Sequence, residues 1–457
     1  MKSIASRSYF AMALSCILLF GLLTFLVRYA LYADRWVTFS GSPHVYTREG
    51  TLDTGVVKDR SGNTILSTAH GKTYADNALT RSATLHLLGD REGNIPGLVV
   101  RTYAQLLVGF DKLNGTSAME EGGGELDLTI SAPVQTIALQ ALDGRKGTVG
   151  VYNYKTGEIL CAVSAPTFDP DNVPDIADDE TGQYDGAYVY RFFHTTYTPG
   201  SIFKLVTACA ALENLPDMES WSFTCTGSTV INGETITCPR AHGELSFREA
   251  LARSCNCAFG ELSCTLGKRT MESVAGRIGV ESSLSVDGLR TVPGQFDLSG
   301  AGDNDLAWAG IGQYTDLVNP CQYLTYMGAI AAGGAGAQPY LVSRAKCGTT
   351  VKYTAEAKQG PRLLSEDAAV ALQQMMAYNV ETIYGKDYFP DLTICAKSGT
   401  AEVGSDSNTA TFAGFILDER YPLAFIVVVE EGGAGSSTCA PIAGAVLKGC
   451  VNVLDGE

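Results

Sequence analysis

The chain has 457 residues, a formal charge of −16 and 45% hydrophobic residues. That length supports two or more domains with a sizeable core, and the apolar content excludes a disordered chain. The acidic balance excludes nucleic acid as a partner, because phosphate binding needs basic surface.

Residues 9–27 run for 19 positions without a charge. As a helix this is roughly 28 Å, about the hydrocarbon thickness of a bilayer. Lys2 and Arg7 precede it with no acid among the first eight residues. The charge bias therefore predicts a cytosolic tail over 1–8 and a single membrane span within 9–33, with Arg28 and Tyr29 at its interface and the body outside. A cleaved signal peptide is the competing reading, but the run is long for one and no small-x-small site follows it. On both readings the body is exported.

Residues 34–125 read as short strands, turns and one mixed segment, a small N-terminal α/β domain. The turn-rich run at 120–125 (EEGGGE) marks its boundary with a second domain over 126–457. There LDLTI predicts a strand, and SAPVQTIALQAL a helix opened by Ser131 with Pro133 in its first turn. Residues 147–164 alternate around Lys155-Thr156-Gly157 as a hairpin. An acidic stretch poor in aliphatic residues, 169–190, reads as a surface loop. Helical pattern follows over 201–213, 247–266, 317–332 and 365–378, the last capped by Ser365. Three strands (LTICAKSGTAEV, ATFAGFIL, PLAFIVVVEE) and a closing helix (APIAGAVLKGCVNVL) complete the chain. Helices followed by a mostly antiparallel sheet make an α+β pattern.

Twelve of the 13 cysteines lie beyond the apolar segment. Cys225 and Cys238 flank a hairpin-like stretch with Gly233 at its turn and are the foremost disulfide pair, while most of the others read as small buried residues. No Cys/His set has zinc spacing, and His44, His70, His86, His194 and His242 have no triad-like or metal-like setting. Gly71-Lys72-Thr73 resembles the end of a phosphate loop, but Leu66 stands where that loop needs glycine.

Three motifs carry chemistry. Ser201 and Lys204, after Pro199-Gly200 and before an apolar run, share one helix face, and a lysine one turn away can take a hydroxyl proton. Ser254-Cys255-Asn256 follows 53 residues later, and Lys397-Ser398-Gly399-Thr400 comes 143 residues after that. Each has a decoy: Ser343-x-x-Lys346, Ser61-Gly62-Asn63 and Lys155-Thr156-Gly157. Ser343 ends a predicted strand with no apolar helix behind it, Ser61 lies in a turn, and Lys155 is a hairpin tip that precedes the nucleophile. Only the first set has helix, helix-loop and edge-strand contexts in order.

The ordered triple matches the penicillin-binding protein and serine β-lactamase group. Over nearly its whole length the chain resembles a class B, monofunctional penicillin-binding protein. TYTPGSIFK, SAPTFDPD, GIGQY with Asn319-Pro320, FAGF at 412–415, and Arg48-Glu49-Gly50 with Asp59-Arg60 extend the likeness. The resemblance implies an antiparallel sheet with helices packed on it, a small N-terminal pedestal domain and a membrane anchor. It implies a peptidoglycan D,D-transpeptidase, also acylated by β-lactams, that uses no cofactor or metal. Ser201 would be the nucleophile, Lys204 its base and Ser254 a proton relay. Asn256, Lys397, Ser398, Gly399 and Thr400 would bind substrate, the two hydroxyls addressing the terminal carboxylate and Gly399 admitting the substrate backbone. The N–H groups of Ser201 and Thr400 would form the oxyanion hole.

For Lys204 to be neutral near pH 7 it must drop several units from about 10.4; burial would do part of this and the Lys397 cation more. Ser398 replaces the commoner threonine, and Cys255 is read as packing. The implied partners are stem peptides, β-lactams, a membrane glycosyltransferase, since 34–125 has no room for a glycosyltransferase domain, and a division or elongation complex. Two alternatives share the residues: a carboxypeptidase or β-lactamase that hydrolyses the same acyl-enzyme, and a non-catalytic β-lactam sensor or divisome scaffold.

Overall fold

The computed structural model describes residues 2–37, 55–68, 71–108, 123–403 and 407–456. Arg48-Glu49-Gly50, His44, His70 and residues 120–122 of the glycine-rich break lie outside these. The chain opens with one helix, Lys2–Val37. Its 4–33 portion is long and apolar enough to cross a membrane, and its most apolar 18-residue window is unburied, while Ala33 at the far end is buried.

The central feature is a five-stranded antiparallel sheet. In order across it the strands are Ile394–Val403, Ser407–Ile416, Leu423–Val429, Gly147–Asn153 and Ile159–Ala165. Because side chains alternate across a strand, each strand feeds two cores. Leu423, Phe425, Val427 and Val429 pack with the helices Ala132–Leu142 and Gly435–Gly456. Ala424, Ile426 and Val428 pack on the opposite face with Ile202, Leu205 and Phe259. Both faces are covered, so Leu423–Val429 is buried at every position. The helix ends agree with their sequence signals. Ser131 accepts the Val134 N–H, and Ser365 the Ala368 N–H.

A second sheet of six strands runs Thr350–Thr354, Val342–Cys347, Gly124–Leu128, Val56–Lys58, Thr64–Ser67, Thr73–Tyr74. Val56–Lys58 pairs parallel with Gly124–Leu128, so N-terminal strands and strands from beyond residue 123 share one sheet. A bidentate Arg81–Asp169 pair adds a further tie between the two regions.

Two expected elements differ. The 317–332 helix begins at Pro320. Asn319 caps it through the Gln322 N–H and donates to the Phe193 and Thr195 carbonyls. The 247–266 helix is two helices, Phe247–Ala252 and Asn256–Leu266. At the break Ser254 has φ +53°. Its N–H bonds the Leu251 carbonyl, and the Cys255 N–H bonds the Ala250 carbonyl. This is a Schellman end with serine where glycine is usual.

Candidate active site

The sequence Thr198-Pro199-Gly200 delivers the chain into a 3-10 turn, Gly200–Phe203, that continues as the helix Lys204–Asn214. The GIGQY segment supports this turn. The Gly200 N–H bonds the Gly312 carbonyl, and a Cβ on Gly312 would lie 2.2 Å from the Gly200 carbonyl oxygen. Tyr323 donates to the Ile202 carbonyl at 2.8 Å.

Lys204 is fully buried. Its Nζ lies 3.0 Å from Ser201 Oγ, 2.7 Å from the Ser254 carbonyl oxygen, 3.1 Å from Ser254 Oγ and 2.7 Å from Asn256 Oδ1. The Asn256 amide is oriented by its other end, which donates to the Thr237 carbonyl at 2.9 Å. The carbonyl and amide oxygens can only accept. A neutral Lys204 therefore spends both N–H donors on them, and its lone pair is left for the Ser201 hydroxyl. Burial lowers Lys204 to about 7, opposed by the thiols of Cys255, Cys238 and Cys257.

Lys397, on the edge strand Ile394–Val403, is also fully buried. Its Nζ reaches Ser254 Oγ at 3.1 Å and the Ser398 carbonyl at 2.7 Å. Burial holds it well below the usual lysine range, and the Lys204 charge adds to this. The expectation that a second cation outweighs burial at Lys204 is thus reversed: lost hydration is the larger cause at both lysines.

Strand alternation sorts the rest of the motif. Lys397 and Gly399 face the Gly200–Phe203 turn. A Cβ on Gly399 would meet Thr411 Oγ1 at 2.2 Å and the Pro199 carbonyl at 2.7 Å. The glycine therefore admits the protein's own turn, a demand additional to the room for substrate backbone expected from the sequence. Ser398 and Thr400 face the other way. Ser398 Oγ lies 3.0 Å from Tyr384 Oη, which also accepts the Ser398 N–H at 2.9 Å. Thr400 Oγ1 accepts the Gly435 N–H at 3.1 Å. Thr400 therefore keeps its hydroxyl proton to donate elsewhere, and Ser398 does so when the Tyr384 phenol is the donor between them. Gly200 packs so closely on Thr400 that a Cβ would lie 2.6 Å from the Thr400 carbonyl oxygen, making the 201 and 400 backbones neighbours.

The decoys are scattered. Ser343 and Lys346 lie near the start and near the end of the strand Val342–Cys347, where positions three apart face opposite ways. Ser343 bonds the Asp127 carbonyl and Lys346 pairs with Glu125. Lys155 sits at a hairpin tip beside Glu419. Ser61 lies in a turn.

Two features escaped the sequence reading. Tyr384 lies in a π-helical turn, Val380–Tyr384, with no motif to mark it. The Cys225–Cys238 disulfide is not formed; every cysteine is a free thiol. Cys238 Sγ instead lies 3.7 Å from Cys255 Sγ and 3.5 Å from Cys257 Sγ. Cys225, Cys238, His242 and Cys255 bring their ligand atoms within 4.8 Å of one another, so the absence of zinc spacing in the sequence does not carry into the fold.

A serine–lysine–serine–lysine chain with both lysines buried, against an antiparallel edge strand, defines a serine acyltransferase site of the penicillin-recognising class. The penicillin binding protein transpeptidase domain family matches residues 147–448, and the chain belongs to that family. It is similar to the peptidoglycan D,D-transpeptidase PbpA of Mycolicibacterium smegmatis, 29% identical over 360 residues covering 71% of this chain and 72% of the relative. Similarity to the stage V sporulation protein D of Bacillus subtilis is 27% over 352 residues, covering 71% of this chain and 53% of that protein. Among solved structures, the ceftriaxone acyl-enzyme complex of penicillin-binding protein A from M. tuberculosis superposes with a TM-score of 0.75 at 23% identity. That match covers 88% of this chain and 99% of the other. The D,D-transpeptidase domain of a peptidoglycan glycosyltransferase from Eggerthella lenta superposes with a TM-score of 0.74 at 25% identity, covering 88% and 98%.

Proposed function

We propose that the chain is a membrane-anchored peptidoglycan D,D-transpeptidase working through a Ser201 acyl-enzyme that β-lactams also form. The observation that carries this is the continuous path Ser201 Oγ, Lys204 Nζ, Ser254 Oγ, Lys397 Nζ, with steps of 3.0, 3.1 and 3.1 Å. A stem peptide adds to the edge strand Ile394–Val403 as a further strand. Ser201 Oγ attacks the carbonyl carbon between two D-alanines while its proton passes to Lys204. The N–H groups of Ser201 and Thr400 hold the oxyanion. As the C–N bond breaks, Ser254 passes the proton to the departing D-alanine amine. An amine of a second stem peptide then attacks the ester, forming the cross-link and returning the proton to Ser201. Asn256 holds the substrate amide, and the spare hydroxyl protons of Ser398 and Thr400 serve the terminal carboxylate.

In this reading the acceptor is an amine and not water. The N-terminal helix anchors the chain, with the basic tail 1–8 inside and the body outside. A division at residue 125 between pedestal and transpeptidase parts makes the six-stranded sheet their shared seam. A membrane glycosyltransferase supplies the glycan, within a division or elongation complex.

A fluorescent penicillin tests this. The full-length protein is labelled covalently, the adduct lasts for hours, and Ser201→Ala abolishes it. Labelling of Ser201→Ala would refute the nucleophile, and an adduct lost in seconds would make the protein a hydrolase.

A further inference from the structure

We propose that Cys225, Cys238, His242 and Cys255 form a tetrahedral zinc site that clips the loop carrying Ser254 and Asn256 to a small β insertion. Three ligands come from that insertion. Cys225 ends the strand Ser222–Cys225, which pairs with Gly243–Ser246 so that Gly243 lies opposite Cys225. His242 therefore stands next to Cys225 across the ladder. Between them the hairpin Ser228–Ile231 and Glu234–Thr237 folds back. It is closed by a Cys238 N–H bond to the Gly227 carbonyl, which returns Cys238 to the same end. The fourth ligand, Cys255, caps the helix Asn256–Leu266 and accepts the Ala258 N–H at its sulfur. This is the kind of backbone hydrogen bond that supports a metal-bound thiolate.

Within the set, the Cys238 to Cys255 sulfur separation fits a metal better than a disulfide. Zinc–sulfur bonds of about 2.3 Å set tetrahedral sulfurs about 3.8 Å apart, and Cys238 and Cys255 are 3.7 Å apart. A disulfide would need about 2.05 Å. An independent observation points the same way. His242 Nδ1 is buried and has no hydrogen-bond partner, so a ring nitrogen of the residue grouped with these sulfurs is left without a polar contact. Three soft thiolates and an imidazole suit zinc, whereas calcium and magnesium take oxygen ligands. Cys257 is the near miss: its sulfur touches Cys238 but also contacts the Ile236 carbonyl, and it falls outside the set of four.

The site lies against the catalytic loop. Cys255 is the residue between Ser254 and Asn256, and Asn256 already bonds Thr237, the residue before Cys238. Bound zinc would hold Ser254 in its left-handed conformation and Asn256 against Lys204, a positioning role with no contact to substrate.

The full-length protein, purified in detergent with a tag that binds no metal, is analysed by elemental mass spectrometry. About one zinc per chain is expected, retained in Cys257→Ser and lost in Cys225→Ser and His242→Ala. Because a ligand variant can fail to fold, wild-type protein grown with cobalt is measured as well. It should show the intense visible absorption of tetrahedral cobalt thiolate, unchanged by Cys257→Ser. Protein without stoichiometric metal, or intact mass and thiol counts that place a disulfide among Cys225, Cys238, Cys255 and Cys257, overturns the proposal. So does zinc that survives both ligand variants. None of these readouts depends on the role given to Ser254, so they separate failure of the zinc site from failure of the mechanism.

Discussion

Lys204 and Lys397 arrive from a helix and from a distant edge strand, yet both nitrogens lie 3.1 Å from the same atom, Ser254 Oγ. Two buried ammonium groups cannot both stay charged across one hydroxyl without a large cost. The arrangement therefore makes proton occupancy, not geometry, the variable that turns the site on.

That gives a pH profile with a definite sign. Lys204 is lowered to about 7, chiefly by burial, and only its neutral form has a lone pair for the Ser201 proton. The second-order rate of acylation by a penicillin should rise with pH through about 7 and fall by about tenfold per unit well below it. Stopped-flow acylation across pH 5 to 9 reads this, and a flat profile would remove Lys204 as the base.

Ser254 supplies a test that separates strain from chemistry. At φ +53° a non-glycine residue costs of order 1 kcal/mol. Ser254→Gly and Ser254→Ala both delete the relay hydroxyl, and each should slow acylation by about 10²- to 10⁴-fold. They should differ in stability, with the glycine variant more stable than the alanine variant by about 1–2 kcal/mol. Thermal melts decide it; equal melting points would mean that the left-handed position stores no strain.

Much of this site could be read from residue types alone, and the remainder could not for physical reasons. Ser131 and Ser365 mark helix starts because a hydroxyl satisfies a backbone N–H wherever the helix goes. The triple of motifs was legible because each chemistry needs its residues close in sequence. The zinc ligands were not: they are spaced by 12, 3 and 12 intervening residues, and only the closing of a hairpin brings them together. The break at Ser254 was hidden because serine in a helical pattern gives no sign of a left-handed turn. The demand that the protein's own turn makes on Gly399 was hidden because sequence shows that a glycine is needed, not every surface that approaches it.

Gly399 is accordingly predicted to be structural first. In Gly399→Ala the new methyl would lie 2.2 Å from Thr411 Oγ1 and 2.7 Å from the Pro199 carbonyl. One of these is backbone, so the edge strand must move away from the Gly200–Phe203 turn. Overpacking of this kind costs about 1–3 kcal/mol. The variant should melt lower and lose penicillin labelling together. A variant that keeps its wild-type melting point while losing only labelling would return the glycine to the substrate-facing role.

Tyr384 is the residue for which no motif speaks, and its hydroxyl has a defined task. It accepts the Ser398 N–H at 2.9 Å and meets Ser398 Oγ at 3.0 Å, and burial raises its own pKa, keeping it a neutral phenol. If the phenol donates to Ser398 Oγ, the serine proton points outward, available to a carboxylate. Tyr384→Phe keeps the ring against Phe412 but strands the Ser398 N–H and frees its hydroxyl to rotate. The loss should be about 1–3 kcal/mol of stability for the unpaired backbone donor. Penicillin should also acylate more weakly, with the deficit in binding and little change in the rate at saturation. Saturation kinetics of acylation separate the two. A variant with unaltered apparent affinity would show that Ser398 needs no help from Tyr384 to present its proton.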